Sequence, residues 1–441
     1  MKQARRVWKR AAVVLWAAAV IGAGAPGVHA AANDPATGAT ATPESVGFSR
    51  ARLASLHAII QEEVDRSELA GAVTILARHG RIVDYRTYGV RDLATGAPMT
   101  RDTIFRDYSM TKPVTGVAMM ILYEQGKWLP QDPIAKYIPE LEHLQVLGGV
   151  DSDGKMTLVA PEHTPTLLEL MSHTAGFSYG FGTTGVDALY QKERVLQSAT
   201  LKEMIDKLAR IPLEYQPGKG WKYSVSMDVE GFLVEKLSGQ SLPEFMRQHI
   251  FIPLAMKDAG FYVPVEKRPR FATNYRMDTR GHLTPVAPEG DAYKMQPTMP
   301  SGGGGLVSTA QDYYRFAQML ANGGVLDGQR VLSPATVRLM TTNKLPDTLL
   351  TGQFGIGQHV MRAGFGYGFN GAVIFDPGLA ALPDGRGTYF WDGAAGTWFW
   401  VDPTNDVVFV GMIQRMQAPD NHPLLYRTHA AVYGALVDPA K

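Results

Sequence analysis

Apolar positions along the chain follow two periods, and the two are segregated. Leu53, Leu56, Ile59, Ile60 and Val64 recur at helical spacing after Ser49, which predicts a capped helix over about 49–67. Residues 71–78 and 81–88 are β-rich runs on either side of His79-Gly80, the pattern of a hairpin. Val114, Val117, Ala118, Ile121 and Leu122 mark one helix face, and Met119 and Met120 make its other side apolar, so this helix belongs in the core. Thr166 and Glu169 form a capping box at the start of a short helix. Further helices are predicted over about 201–209 and 228–237, the latter stopped by Gly239. Ser308 and Gln311 should cap another, with Tyr313, Phe316, Ala317 and Leu320 on one face and Gly323 at its end. Residues 388–391, 397–401 and 407–413 read as strands, the last two joined by the turn Asp402-Pro403-Thr404-Asn405-Asp406, and 424–436 as a closing helix.

Strands therefore gather at both ends of the chain and helices between them. That distribution predicts an α+β fold: a central antiparallel sheet built from about 44–105 and 385–441 and flanked by helices, with a mainly helical unit, about 106–384, inserted into it. No internal repeat occurs at solenoid periods.

The first 30 residues stand apart. Lys2, Arg5, Arg6, Lys9 and Arg10 precede an apolar run, 11–25, too short for a comfortable membrane span, and Val28-His29-Ala30 offers small residues for cleavage after Ala30. Residues 1–30 read as a signal peptide with a faint twin-arginine pattern, and 31–43 as a Pro/Thr/Ala-rich linker. The expectation is an exported protein, periplasmic or extracellular, with no stable membrane anchor once the signal is removed. Cleavage takes away five of 43 Lys and Arg against 42 Asp and Glu, leaving the mature chain about four charges negative. No basic block lies beyond the N-terminus, so no nucleic-acid footprint is present. The absence of cysteine excludes disulfides, thiolate nucleophiles, Cys-ligated zinc and a lipid-modified N-terminal Cys.

The candidate chemistry centres on Ser109-Met110-Thr111-Lys112. Pro113 must lie in the first turn of the buried helix, where a missing N–H costs little, so Ser109 stands at its mouth among orphan backbone N–H groups. Lys112, three residues on, shares its face. A serine hydroxyl is a weak nucleophile without a base beside it, and a lysine serves if burial favours its neutral amine. Tyr223, after the Pro217-Gly218 turn and ahead of a helix, is a second acid–base candidate.

Other patterns are weaker. Gly176-Phe177-Ser178-Tyr179-Gly180 fits G-x-S-x-G, but a nucleophile elbow needs a strand before the serine and a helix after it, and here a capped helix precedes and a glycine-rich loop follows. His173 reads as a residue holding that turn. Gly302 to Gly305 lacks the following Gly-Lys-Ser/Thr of a phosphate loop and reads as a place of close backbone packing. The histidines contain no H-E-x-x-H, and neither a metal site nor a cofactor is expected.

Taken together, Ser109-Met110-Thr111-Lys112, Tyr223-Ser224 and Trp391-Asp392-Gly393 resemble the three ordered motifs of the serine β-lactamase and penicillin-binding-protein superfamily. The closest resemblance is to its class C-like branch, which includes the family VIII carboxylesterases, and it runs from about residue 44 to the end. It implies a β-lactamase-like fold, acylation of Ser109, proton transfer by Lys112 and Tyr223 with the base between them unassigned, and an oxyanion hole from the backbone N–H groups of Ser109 and Ala394. Trp391, Asp392 and Gly393 would line the substrate.

The departures bear on substrate. Val225 holds the place of the Asn that ends the second motif in β-lactamases and peptidases, and Trp391-Asp392 holds that of Lys-Thr. An acid there repels the carboxylate of a β-lactam or D-alanyl peptide, and Trp391 offers an aromatic wall instead. Asp392 is unusual even for the esterases, and so is Asp107, where an apolar residue is common. The expectation is a serine hydrolase of small-molecule carboxylic esters. The alternatives are a β-lactamase, D,D-peptidase or transacylase on the same scaffold, or a non-catalytic protein binding cell-wall fragments. Oligomeric state is not legible.

Overall fold

The computed structural model describes residues 40–286, 291–350, 363–416 and 421–440. The expected signal peptide and nearly all of the linker lie outside them.

Three strands near the N-terminus, β1 (Gly71–Arg78), β2 (Arg81–Asp92) and β3 (Ala97–Pro98), are followed by the short β4 (Ile104–Arg106) and, two hundred residues later, by its partner β5 (Val307–Thr309). The C-terminal part supplies β6 (Phe365–Tyr367), β7 (Ala372–Ile374), β8 (Thr388–Asp392), β9 (Trp398–Asp402) and β10 (Val407–Met412). All but β4 and β5 form one antiparallel sheet in the order β6-β7-β8-β9-β10-β1-β2-β3. The two chain ends meet at its centre, where β1 pairs with β10 from Val73↔Met412 to Arg78↔Val407. His79 and Gly80 take φ of 51° and 69°, the left-handed pair that matches a two-residue hairpin to strand twist.

Every position of β1, β9 and β10 is buried, which requires cover on both faces. Helix α1 (Arg50–Asp65), capped by Ser49, packs against the closing helix and β2. Helix α5 (Ala310–Ala321) packs against β1, β9 and β10. Helix α2 (Thr111–Glu124) is buried at every residue from Thr111 to Leu122 and packs on α4 (Ser226–Ser238), as its two-sided apolar pattern requires. Helix α3 (Leu167–Met171) has both arms of the expected capping box, and α6 (Asn421–Ala435) closes the chain.

Three features differ from the sequence reading. The sheet takes in β6 and β7, ahead of residue 385; each is three residues long, too short for a period to show. The cap of α5 is Thr309, which accepts from the Asp312 N–H at 3.1 Å, and not Ser308. Ser308 belongs to β5, and its hydroxyl turns away to Asp107. A hairpin of Val146–Val150 with Met156–Val159 also lay outside the pattern.

Candidate active site

Strand β4 runs directly into the serine. Tyr108–Met110 make one 3-10 turn before α2, and Tyr108 has a φ of 46°, a strained value for a side-chain-bearing residue. Pairing of β4 with β5 fixes the turn from one side: Asp107 N–H donates to Leu306 O at 2.9 Å, and the Ser308 hydroxyl donates to Asp107 Oδ1 at 2.8 Å. From the other side Thr397 Oγ1 donates to Asp107 O at 3.1 Å. Asp107 is thus a buried strut between the Ser109 turn and the sheet, and burial pushes its carboxyl up to about 8.

Lys112, 1% exposed, places Nζ 3.2 Å from Ser109 Oγ and donates to Gly303 O at 2.6 Å. Burial lowers its amine to about 7, against the opposing pull of Asp228, Asp392 and Glu230. Tyr223 comes from the loop before α4. Its ring lies 4.4 Å from Lys112 Nζ, its hydroxyl bonds with Ser109, and Trp391 Nε1 donates to that hydroxyl at 3.4 Å. Burial raises the phenol, and those two hydrogen bonds offset only part of the rise.

The glycine loop does what its composition suggests. A Cβ on Gly302 would sit 2.2 Å from Met227 O, and one on Gly303 2.5 Å from the Tyr179 hydroxyl. Glycine lets this loop pass between α2 and α4 and bring a carbonyl to Lys112.

The third motif splits. Trp391 is 2% exposed and packs behind Tyr223, with ring centroids 5.6 Å apart; it does not line the cavity. Asp392 is partly exposed, within electrostatic reach of Lys112, and burial lifts its carboxyl to about 7. Gly393 packs on the Ser109 turn: a Cβ there would meet Thr397 Oγ1 at 2.2 Å and Asp107 O at 2.3 Å. Ala394 follows and, with Ser109 and Tyr223, lines a cavity of about 410 Å³. Tyr108, Tyr179, Phe181, Phe261, Tyr293 and Met299 supply most of its wall, and among the described residues no charged side chain lines it. Val225 is buried, so no side-chain amide occupies the Asn place.

Ser178 is elsewhere. It is fully buried, its hydroxyl bonds with Asp187 and accepts from the Gly180 N–H at 3.1 Å, and Lys222 pairs with the same Asp187 at 3.1 Å. His173 holds the turn with a φ of 61° and bonds the Ser224 hydroxyl through Nδ1 at 3.0 Å. Among the described residues no cluster of His, Asp and Glu has the arrangement of a metal site.

Sequence reasoning passed over Asp228, Glu230 and Asn370, which surround Lys112. Asn370 Nδ2 donates to Lys112 O at 3.1 Å and to Glu230 Oε2 at 2.6 Å. The available signal was two acids, Asp228 and Glu230, among the apolar residues of the first turns of α4.

The sequence profile of the Beta-lactamase family matches residues 56–433. The chain belongs to this family. Among Beta-lactamase-family relatives, Protein Rv1367c of Mycobacterium tuberculosis is 38% identical over 367 residues, 81% of this chain and 88% of its own. Esterase EstB of Burkholderia gladioli is 32% identical over 386 residues, 82% of this chain and 91% of its own. Among solved structures, EstCE1, described as a hydrolase with promiscuous acyltransferase activity, is 28% identical with a TM-score of 0.72 over 87% of this chain and 99% of its own. The β-lactamase-like α+β fold expected from the sequence is the one present, and the esterase relatives support the resemblance to the family VIII branch.

Proposed function

We propose that this Beta-lactamase-family protein is a serine hydrolase that cleaves neutral carboxylic esters through an acyl-enzyme on Ser109. The observation that carries this reading is Lys112 Nζ, buried and 3.2 Å from Ser109 Oγ, beside a cavity that no charged side chain lines among the described residues. A neutral amine has two N–H bonds and one lone pair. Gly303 O takes one hydrogen, which leaves the lone pair free to face Ser109. An amine near 7 is substantially neutral at neutral pH, whereas a phenol raised by burial keeps its proton. This favours Lys112 as base and Tyr223 as relay.

In the first step the Ser109 Oγ–carbonyl bond forms as Lys112 takes the hydroxyl proton. Backbone N–H groups of Ser109 and Ala394 receive the oxyanion. The ester C–O bond then breaks, and Tyr223 passes its proton to the departing alcohol as Lys112 returns one to Tyr223. Water repeats the sequence to release the acid, and an alcohol in place of water would make the same site an acyltransferase.

The cavity disfavours β-lactams and D-alanyl peptides because among the described residues nothing cationic lines it and Asp392 stands nearby. Comparison of a p-nitrophenyl short-chain ester with a chromogenic cephalosporin tests this, with Ser109→Ala as control. Faster turnover of the cephalosporin overturns the ester reading, and no turnover or fluorophosphonate labelling by folded wild type favours a binding protein. We further propose export with cleavage after Ala30, which N-terminal sequencing of the mature protein checks. Among the described residues no helix is long and apolar enough to cross a membrane.

A further inference from the structure

Lys112 donates to a main-chain carbonyl, not to a carboxylate, and that carbonyl needs a reason to be where it is. The same Gly303 donates its N–H to Asp228 Oδ1 at 3.1 Å, and the Ser301 hydroxyl bonds the same oxygen. Asp228 is the third residue of α4, 1% exposed, five residues after Tyr223. Its other oxygen, Oδ2, is buried and has no hydrogen-bond partner among the described residues. Keeping a carboxylate in such a place is costly, and a loop anchor alone would not require a charge.

We infer that Asp228 is a positioning residue for Lys112: by gripping Ser301 and Gly303 it sets the Gly303 carbonyl so that one amine hydrogen is held and the lone pair is left on Ser109. The inference rests on the reading of Lys112 as the base of Ser109. The groups facing Lys112 are Asp228 and Glu230 from α4, Asp392 from β8, the Tyr223 and Tyr179 rings, and His173. Two effects of Asp228 are therefore separable. Asp228→Asn keeps an acceptor for the loop but removes one negative charge, which destabilises the ammonium form. Asp228→Ala removes both acceptor and charge.

The test is the second-order rate of fluorophosphonate labelling of the full chain, mapped to its peptide and followed from pH 5 to 9. Wild type should label on Ser109 with a rate that rises through about 7. Asp228→Ala should lower the plateau by about 100-fold, the scale of a lost general base. Asp228→Asn should keep the plateau within about fivefold, the worth of one altered hydrogen bond, while the inflection moves to lower pH. If wild type does not label on Ser109, the functional reading fails and the inference that rests on it falls with it. If wild type labels and a folded Asp228→Ala matches it in plateau and inflection, the inference is overturned. Should the alanine variant not fold, Asp228→Asn decides: an unchanged inflection, or a plateau lost as in removal of the base, overturns it.

Discussion

The indole N–H of Trp391 donates to the hydroxyl of Tyr223 across 3.4 Å. This contact gives the first residue of the third motif a place behind the proposed proton-transfer group, where the sequence reading sets an aromatic wall against substrate. The ring also meets Tyr367, at 5.3 Å and nearly perpendicular.

Trp391→Phe should therefore lower kcat more than it raises KM. The ring packing is largely kept, but the phenol loses a donor, worth about 1 kcal/mol or roughly fivefold in rate. Steady-state kinetics on a p-nitrophenyl ester check the split. A change in KM alone would return Trp391 to the substrate wall.

The pH profile has a definite sign. In the proposed mechanism the active form of Lys112 is the neutral amine, so kcat/KM should rise as pH passes about 7 and level above it. Tyr223 is raised by burial and should impose no alkaline fall near neutrality. Asp392 titrates in the same window, so the two act as a coupled pair. An ionised Asp392 favours the lysine ammonium; Asp392→Asn should move the acid limb to lower pH. The same variant should gain on carboxylate-bearing esters relative to neutral ones.

Ser178→Ala separates the two serines. The change strips a donor from buried Asp187 and an acceptor from the Gly180 N–H, and should cost about 1–3 kcal/mol in chemical denaturation. Fluorophosphonate labelling should persist in it and vanish in Ser109→Ala. Labelling lost only in Ser178→Ala would restore the elbow reading.

Phe181 is the outermost ring of the cavity, 58% exposed and stacked on Tyr179 with centroids 4.9 Å apart. Phe181→Ala should reduce kcat/KM for a naphthyl ester about fivefold more than for an acetate of a small alcohol, the scale of one aromatic pair. Its melting temperature should match wild type, because so exposed a ring contributes little to the fold. Equal losses on both esters would remove Phe181 from substrate recognition.

Some of this was legible in the chain. The α2 face, the β1–β2 hairpin, the capping box at Thr166 and the final strands are local patterns, set by periodicity and turn chemistry within a few residues. So is the spacing of Ser109 and Lys112, because one helical turn brings positions three apart together. The sequence also marked Gly302 to Gly305 as a place of close packing without saying what would be packed there.

The rest depended on contacts between distant residues. That Ser308 bonds Asp107 instead of capping a helix follows from the pairing of β4 with β5 across two hundred residues. That Trp391 backs Tyr223, and that Asp228 reaches Lys112 through Gly303, follows from how β8, α4 and the glycine loop converge. Periodicity states which face of an element is apolar, but not which element will cover it. The partners of Lys112 therefore emerge only when the sheet has closed on both chain ends and α2 is buried, since it is that burial which lowers its amine and gives each surrounding group its effect.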